Sequence, residues 1–107
     1  MPKTARFTVM WETPSDPEAF DRHYREIHIP LGRQLPGLRR YTLSRDVVLI
    51  RGEEPLYVVA ELDWDDMAAL RRAFESPVGR ATADDVAQLA QYAAVRSMAY
   101  ELEDHVP

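Results

Sequence analysis

The chain has no cysteine among its 107 residues. This absence excludes disulfide bonds, thiolate catalysis and zinc or iron–sulfur sites built from cysteine ligands. Glycine is also scarce, and its four positions are too scattered to form a phosphate-binding loop. No apolar run approaches the roughly 20 residues needed to cross a bilayer, and the N-terminal residues show no apolar segment typical of a secretory signal. We therefore expect a cytoplasmic protein.

An excess of positive charge is missing as well. The 18 acidic residues outnumber the 13 basic ones and give a formal net charge of −5. Nucleic-acid-binding proteins usually present a basic face, and an acidic surface is poorly suited to anionic membranes. We therefore expect neither nucleic acid nor a membrane as a partner. Hydrophobic residues make up 46% of the chain, which at this length predicts a single domain spanning residues 1–107.

Strand and helix patterns follow one another in a duplicated order. Period-two alternation predicts strands at residues 4–11, 38–49, 56–64 and 94–102. Capping residues followed by apolar stripes predict helices over 17–35, from 67 onward and over 77–91. The resulting β-α-β-β-α-β order is the ferredoxin-like pattern. We therefore predict an α+β protomer with a four-stranded antiparallel sheet and its helices on one face.

The first helix carries a clear apolar stripe. Its members recur at steps of three and four and are predicted to face the core: Phe20, Tyr24, Ile27, Leu31 and Leu35. Pro30 lies inside this helix, where it cannot donate a backbone hydrogen bond and clashes with the preceding turn. We expect the helix to be kinked or interrupted near Glu26 and His28.

The sheet is predicted to have a second face that is not fully polar. On the third strand, Tyr57 and Val59 share this face with Glu61 and Asp63. An antiparallel sheet covered by helices on one side must cover or solvate the other side. Stacking against a second copy covers such a face, and two-fold self-association is the commonest assembly. We therefore predict a homodimer, and we expect Glu61 to pair with an arginine across the sheet or the interface.

Two of the three histidines lie on the first helix. His23 and His28 are five residues apart, on opposite flanks of the apolar stripe, so we expect that they cannot share a ligand on one helix face. This spacing, and the lack of a zinc-type histidine motif, predict no metal site. His23 is predicted to be exposed to solvent. The pair Asp84-Asp85 is interpreted as a solvated helix face.

His28 is the best candidate for chemistry. A histidine can donate or accept a proton near neutral pH, and Pro30 makes the neighbouring backbone irregular. The alternative is a residue at the core boundary that is bonded to a backbone carbonyl. Tyr24 lies one turn earlier, where it can orient His28 or simply pack in the core. Three further aromatic side chains can line an apolar cavity, although strand aromatics more often belong to the core: Trp11, Tyr41 and Trp64.

Three segments together resemble a known family. Tyr24-Arg25-Glu26-Ile27-His28-Ile29-Pro30-Leu31 precedes Leu35-Pro36-Gly37-Leu38, and Ser76-Pro77-Val78-Gly79 follows later. This arrangement resembles the EthD family of small dimeric α+β barrel proteins, and the resemblance spans nearly the whole chain. It implies a ferredoxin-like protomer whose sheet packs on that of a partner. It also implies that the family's helix histidine corresponds to His28.

The resemblance implies several related activities. EthD proteins resemble accessory proteins of degradative oxygenase pathways and are often labelled reductase or oxidoreductase. Relatives of the same barrel type include methylmuconolactone isomerases, polyketide cyclases and cofactor-free quinone-forming monooxygenases, and in several of them a histidine handles protons. This sequence lacks the strand histidine that some cyclases and isomerases use.

Together these features predict a cofactor-independent enzyme of small-molecule metabolism. We expect isomerase- or cyclase-type proton transfer on a small hydrophobic, oxygenated substrate that is aromatic or lactone-like. His28 would be the general acid/base, with Tyr24 beside it. A cofactor-free monooxygenase or oxidoreductase is one alternative. A non-catalytic accessory or binding protein of an oxygenase pathway is the other.

Overall fold

A computed structural model describes residues 3–106, so Met1, Pro2 and Pro107 of the predicted 1–107 domain lie outside the described residues. The elements, in chain order, are β1 (Ala5–Glu12), α1 (Pro17–His23), a π-helical turn (Tyr24–His28), α2 (Ile29–Gly32), β2 (Arg40–Leu43), β3 (Leu56–Trp64), α3 (Met67–Glu75), α4 (Pro77–Leu89) and β4 (Val95–Glu101). The strands form one antiparallel sheet in the order β2-β3-β1-β4. This order confirms the ferredoxin-like fold class.

The helices cover one face of the sheet and bury its apolar side chains. In β1, Val9 pairs with Ala60 of β3 on one side and with Ser97 of β4 on the other. Trp11 and Trp64 are fully buried between this face and the helices. None of the described helices combines the length and the hydropathy that a membrane crossing requires.

The predicted helix starts are confirmed at three positions. The side chains of Asp16, Asp66 and Ser76 each accept a hydrogen bond from the amide three residues further along. Each such cap stabilises its helix by about 1 kcal/mol, because it satisfies an amide that the helix leaves unpaired. These caps define where α1, α3 and α4 begin.

The first predicted helix is divided, and part of its predicted core stripe is wrong. The amide of Ile29 donates to the carbonyl of Tyr24, five residues back, which is the hydrogen bond of a π turn. The wider turn shifts the inward position by one residue. His28 is therefore buried, and Ile27, which was expected in the core, is 49% exposed. The predicted interruption near Pro30 is thus a π turn.

The second strand is shorter than predicted, since β2 ends at Leu43 rather than at residue 49. The hydroxyl of Ser44 accepts a hydrogen bond from the amide of Val59, 2.8 Å away, and so takes the place of a ladder partner. Asp46 then adopts a left-handed backbone conformation with φ of 52°. Together these features turn the chain away from the sheet edge.

The face of the sheet away from the helices carries an ion-pair cluster. Arg6 on β1 contacts Asp63 at 2.8 Å and Glu61 at 3.0 Å, which confirms the predicted pairing of Glu61 with an arginine across the sheet. Tyr57 was predicted on this face, and that prediction is wrong. A bulge between β1 and β3 shifts the register beside Tyr57, whose hydroxyl donates to Asp21 on α1 instead.

Candidate functional site

A cavity of about 330 Å³ lies between the middle of the sheet and the helices. Its walls are mostly apolar, with Phe7 and Leu62 from the sheet and Phe74 and Val86 from the helices among them. Within the described part of the chain, five of the lining residues have polar side chains: Tyr24, His28, Tyr41, Thr82 and Ser97. His28 is the lining residue whose ordinary pKa lies close to neutral pH.

The π turn brings His23 and His28 onto one partner. The Nε2 atom of His23 lies 2.6 Å from Oδ1 of Asp85, and the Nδ1 atom of His28 lies 2.7 Å from Oδ2 of the same carboxylate. The expectation that the two histidines cannot share a ligand is therefore wrong. In an α-helix, residues five apart differ in direction by about 140°. A π turn closes between residues five apart, so both imidazoles reach Asp85.

Asp85 is the functional residue that the sequence reasoning missed. It was interpreted as part of a solvated helix face, but it is 8% exposed, whereas its neighbour Asp84 is exposed. Its spacing from Thr82 and Leu89, which are both buried, was the available signal, since steps of three and four place it on the inward stripe of α4. A charged residue on such a stripe requires a buried partner.

His23 is also less exposed than predicted. The exposed fraction of its side chain is 25%, because its Nε2 atom is hydrogen-bonded to the buried carboxylate of Asp85. It lies outside the cavity wall, at the outer end of the histidine–aspartate–histidine cluster formed by His23, Asp85 and His28. We call this set the His–Asp–His cluster.

The surroundings of His28 favour a neutral imidazole. Burial lowers the pKa of His28 below its ordinary value of 6.5, and this effect outweighs the hydrogen bond that His28 donates to Asp85, which acts in the opposite direction. In the neutral ring the proton sits on Nδ1, since this nitrogen faces a carboxylate that can only accept. The Nε2 atom has no hydrogen-bond partner among the described residues, so its lone pair is free for a ligand.

Two tyrosines complete the polar part of the cavity. The rings of Tyr24 and His28 are 5.1 Å apart between centroids, so Tyr24 packs beside the histidine while Asp85 provides its hydrogen bond. Burial raises the pKa of both Tyr24 and Tyr41, and the phenol of Tyr41 raises that of Tyr24 further. Both phenols are therefore protonated at neutral pH. In such a pair one hydroxyl can donate to the other, which leaves one O–H for a ligand oxygen.

The position of Tyr41 depends on Gly32. A Cβ atom added at Gly32 would lie 2.9 Å from Cε2 of Tyr41, so the ring occupies the space that any larger side chain at that position would need. The short α2 helix therefore defines this side of the cavity.

The two tryptophans predicted to line a cavity lie elsewhere. Trp11 packs edge-on against Phe20, with ring centroids 5.2 Å apart, and the indole nitrogen of Trp64 donates to the carbonyl of Pro36 at 2.9 Å. They occupy opposite ends of the β1–β3 ladder, because Trp11 pairs with Val58 and Trp64 with Ala5. The cavity lies at the middle of the ladder, so neither tryptophan is part of its wall.

Comparison with known proteins places the chain among small proteins of this fold. A relative from Rhodococcus erythropolis, named as an uncharacterized 11.0 kDa protein in the thcB-thcC intergenic region, is 36% identical over 85 residues. The match spans 79% of this chain and 82% of the relative. The crystal structure of an EthD family protein from Bacillus halodurans is 31% identical, with a TM-score of 0.83 over 94% of this chain and 99% of that protein.

Two solved structures of lower identity share the fold. One is SnoaB, a cofactor-independent oxygenase from Streptomyces nogalater, which is 19% identical with a TM-score of 0.70 over 98% of both chains. The other is a dimeric ferredoxin-like protein of unknown function from Thermobifida fusca, which is 17% identical with a TM-score of 0.68 over 95% of this chain and 93% of that protein.

A family model matches most of the chain, including the residues of the His–Asp–His cluster. The EthD domain matches residues 12–92, a span that contains the π turn, Tyr41 and the His–Asp–His cluster. This match, together with the relatives above 30% identity, shows that the chain belongs to the EthD family.

Proposed function

We propose that this protein is a cofactor-independent enzyme that transfers a proton on a small hydrophobic, oxygenated substrate, as isomerases and cyclases do. The observation that carries the proposal is the arrangement of His28. Its Nδ1 is held by buried Asp85, and its Nε2 is left free beside a mostly apolar cavity. A base oriented by a carboxylate in this way is a recurring arrangement in proton-transfer catalysis.

The cavity supports a small and neutral substrate. Its volume of about 330 Å³ is at the lower end of the range for ligand pockets, which is about 300–1,000 Å³. The lining described above offers apolar contact and hydroxyl groups but no arginine or lysine to pair with an anionic substrate. An aromatic or lactone-like molecule with one or two oxygen atoms fits these requirements.

The proposed reaction uses the groups of the cavity in two steps. First, Nε2 of His28 removes a proton from an acidic carbon of the substrate, and the electron pair moves onto the adjacent oxygen. One hydroxyl of the Tyr24–Tyr41 pair would donate a hydrogen bond to that oxygen, and Asp85 would accept the Nδ1 proton of the imidazolium. In an isomerisation the imidazolium then returns the proton to a different atom of the substrate. In a ring closure the carbanion instead bonds to a carbonyl carbon of the same molecule, the electron pair of that carbonyl moves onto its oxygen, and the imidazolium protonates this oxygen. Neither reaction gains or loses electrons.

The test is carbon–deuterium exchange in heavy water, followed by NMR, on a panel of small lactones, cyclic ketones and phenols. The informative variants are His28→Asn, whose amide can still donate to Asp85 from the Nδ1 position, and His28→Ala. Because a positioned acid/base contributes about 10²–10⁴ in rate, we expect both variants to lose that factor. His105→Ala changes an exposed histidine in the tail and should exchange at the wild-type rate. Exchange by His28→Asn at the wild-type rate would refute the assignment.

A cofactor-free monooxygenase is the second candidate function. The shared fold with the cofactor-independent oxygenase SnoaB supports it, and His28 could then deprotonate a hydroquinone so that the substrate itself reduces oxygen. Oxygen consumption with a hydroquinone substrate, in the absence of flavin and metal, would distinguish this reaction from isomerisation. A non-catalytic binding protein would instead retain a ligand without forming product after long incubation.

We further propose that two copies associate through the face of the sheet away from the helices. Met98 on this face is 47% exposed, and Thr8 and Tyr100 share a hydrogen bond of 2.8 Å beside it. The dimeric ferredoxin-like protein of the same fold supports association into a dimer. Sedimentation equilibrium should give twice the 12.3 kDa protomer mass, and a mass of one protomer at micromolar concentration would contradict the proposal.

A further inference from the structure

The proposed function gives His23 no role, because His28 alone can donate a hydrogen bond to the carboxylate of Asp85. Asp85 has two oxygen atoms, and each of them contacts a different histidine. A single carboxylate charge can balance one imidazolium. A second imidazolium in the same cluster would be repelled by the first. The cluster therefore favours a state in which only one of the two imidazoles, that of His23 or that of His28, carries the positive charge that balances Asp85.

The two rings differ in how well they tolerate a charge. The side chain of His23 is 25% exposed, and that of His28 is 11% exposed. Water stabilises a charged imidazole, and burial removes that stabilisation. The first proton added to the cluster is therefore better placed on His23, where it forms a short ion pair with Oδ1 of Asp85.

We propose that His23 is a positioning residue that neutralises Asp85 and thereby keeps His28 unprotonated, as a base requires. This inference rests on the proposed function of His28, although the protonation of the two rings is measurable without any substrate. It gives the π turn a task, because the wider turn brings histidines five residues apart to one side of the helix, where they share a carboxylate. The charge of His23 also acts directly on His28, whose pKa it lowers.

Among the described residues that line the cavity around His28, none carries a positive charge that could neutralise Asp85. Tyr24 is adjacent on the π turn and Tyr41 faces it from β2, and both phenols are neutral at neutral pH. From α4, Thr82 lines the cavity, and its hydroxyl donates to the carbonyl of Gly79. The lining residues of β1, β3 and β4 carry no charge: Phe7, Val9, Ala60, Leu62 and Ser97.

The test is an NMR titration of the imidazole protons of the whole protein. His23→Gln is the informative variant, because the amide nitrogen of glutamine can occupy the Nε2 position and donate to Asp85 without carrying a charge. We expect the titration midpoint of His28 to move to higher pH in this variant. In the unmodified protein, the midpoint of His28 should lie below its ordinary value, because its ring is buried. An unmoved midpoint of His28 in His23→Gln would overturn the proposal.

Kinetics separate this positioning role from a merely structural one. In His23→Gln the acid limb of the pH–rate profile should move to higher pH, with the wild-type rate restored on the alkaline side. A loss of rate that is equal at every pH would indicate structural damage and contradict the proposal. His23→Lys, which keeps a positive charge near Asp85, should leave the midpoint of His28 low. Failure of His28→Asn to reduce exchange would refute the proposed function alone, since the titrations do not depend on turnover.

Discussion

Replacing Asp85 by alanine should destabilise the protein far more than an ordinary substitution on a helix surface. The side chain is buried and makes two hydrogen bonds, at 2.6 Å and 2.7 Å, to histidines that have no other side-chain acceptor among the described residues. Hydrogen bonds to a charged group stabilise a fold by about 1.5–3 kcal/mol each. Some rearrangement and entry of water will reduce their sum. We therefore expect a loss of about 3 kcal/mol in the free energy of unfolding.

The chain offers a matched control at the adjacent position. Asp84→Ala is the same chemical change on the same helix, so it has a similar effect on helix propensity and on net charge, but Asp84 is exposed. Substitutions at such positions usually change stability by less than about 0.5 kcal/mol. The difference between the two variants therefore isolates the contribution of the His–Asp–His cluster.

The assay is urea unfolding followed by circular dichroism at pH 7, at one fixed protein concentration because association affects apparent stability. At about 4–8 °C per kcal/mol, a loss of about 3 kcal/mol corresponds to a fall in Tm of roughly 12 °C or more. If Asp85→Ala and Asp84→Ala differed by less than about 1 kcal/mol, Asp85 would not be held as the structure describes. The argument for the cluster would then fail.

Two further predictions concern the pH dependence of stability and the packing of α4. Since burial lowers the pKa of folded His28, the unfolded chain binds more protons than the folded chain below pH 6.5, and stability should fall as the pH decreases from there. His28→Asn should reduce that slope in unfolding experiments between pH 7 and 5, and an identical slope would contradict the lowered pKa. Gly79→Ala should destabilise the fold by about 1–3 kcal/mol or more, because its Cβ would clash with the backbone carbonyl oxygen of Ala73. Thermal unfolding tests this, and a Tm within about 2 °C of the wild-type value would argue against such close packing of α3 and α4.

Local signals were sufficient to predict most of the fold. Asp16, Asp66 and Ser76 are capping residues whose preference depends on the backbone of their own helix, so they could be read without tertiary information. The end of β2 could not be predicted in this way. The apolar run at residues 47–50 resembles a continuation of the strand beyond Ser44, Arg45 and Asp46, but the strand ends where the hydroxyl of Ser44 accepts a hydrogen bond from the amide of Val59, fifteen residues away.

The site was less predictable because it depends on the same kind of long-range contact. His28 and Tyr41 could be proposed from their own neighbourhoods, and both line the cavity. The inward position of Asp85 could be predicted from its spacing on α4, but its partners could not, because nothing near it in sequence indicates histidines 57 and 62 residues away. The tryptophans show the opposite error. Their residue type favoured a cavity, but their positions at the ends of the ladder assigned them to the core.

The π turn directs His28 inward where a regular helix would bury Ile27, and the proposed function requires this arrangement. A regular helix would bury Ile27, and full burial of an isoleucine side chain stabilises a fold by about 1.5–3 kcal/mol. In the protomer, Ile27 remains 49% exposed while a titratable ring is buried at 9% exposure, so the fold gives up stability at this position. Proteins break local rules in this way mainly at functional sites. Pro30 accounts for the mechanics, since it removes one backbone donor just after the turn. It does not account for a histidine, rather than an apolar residue, at the position that the turn directs inward. The buried carboxylate of Asp85, which a purely structural helix contact would not need, accounts for that choice.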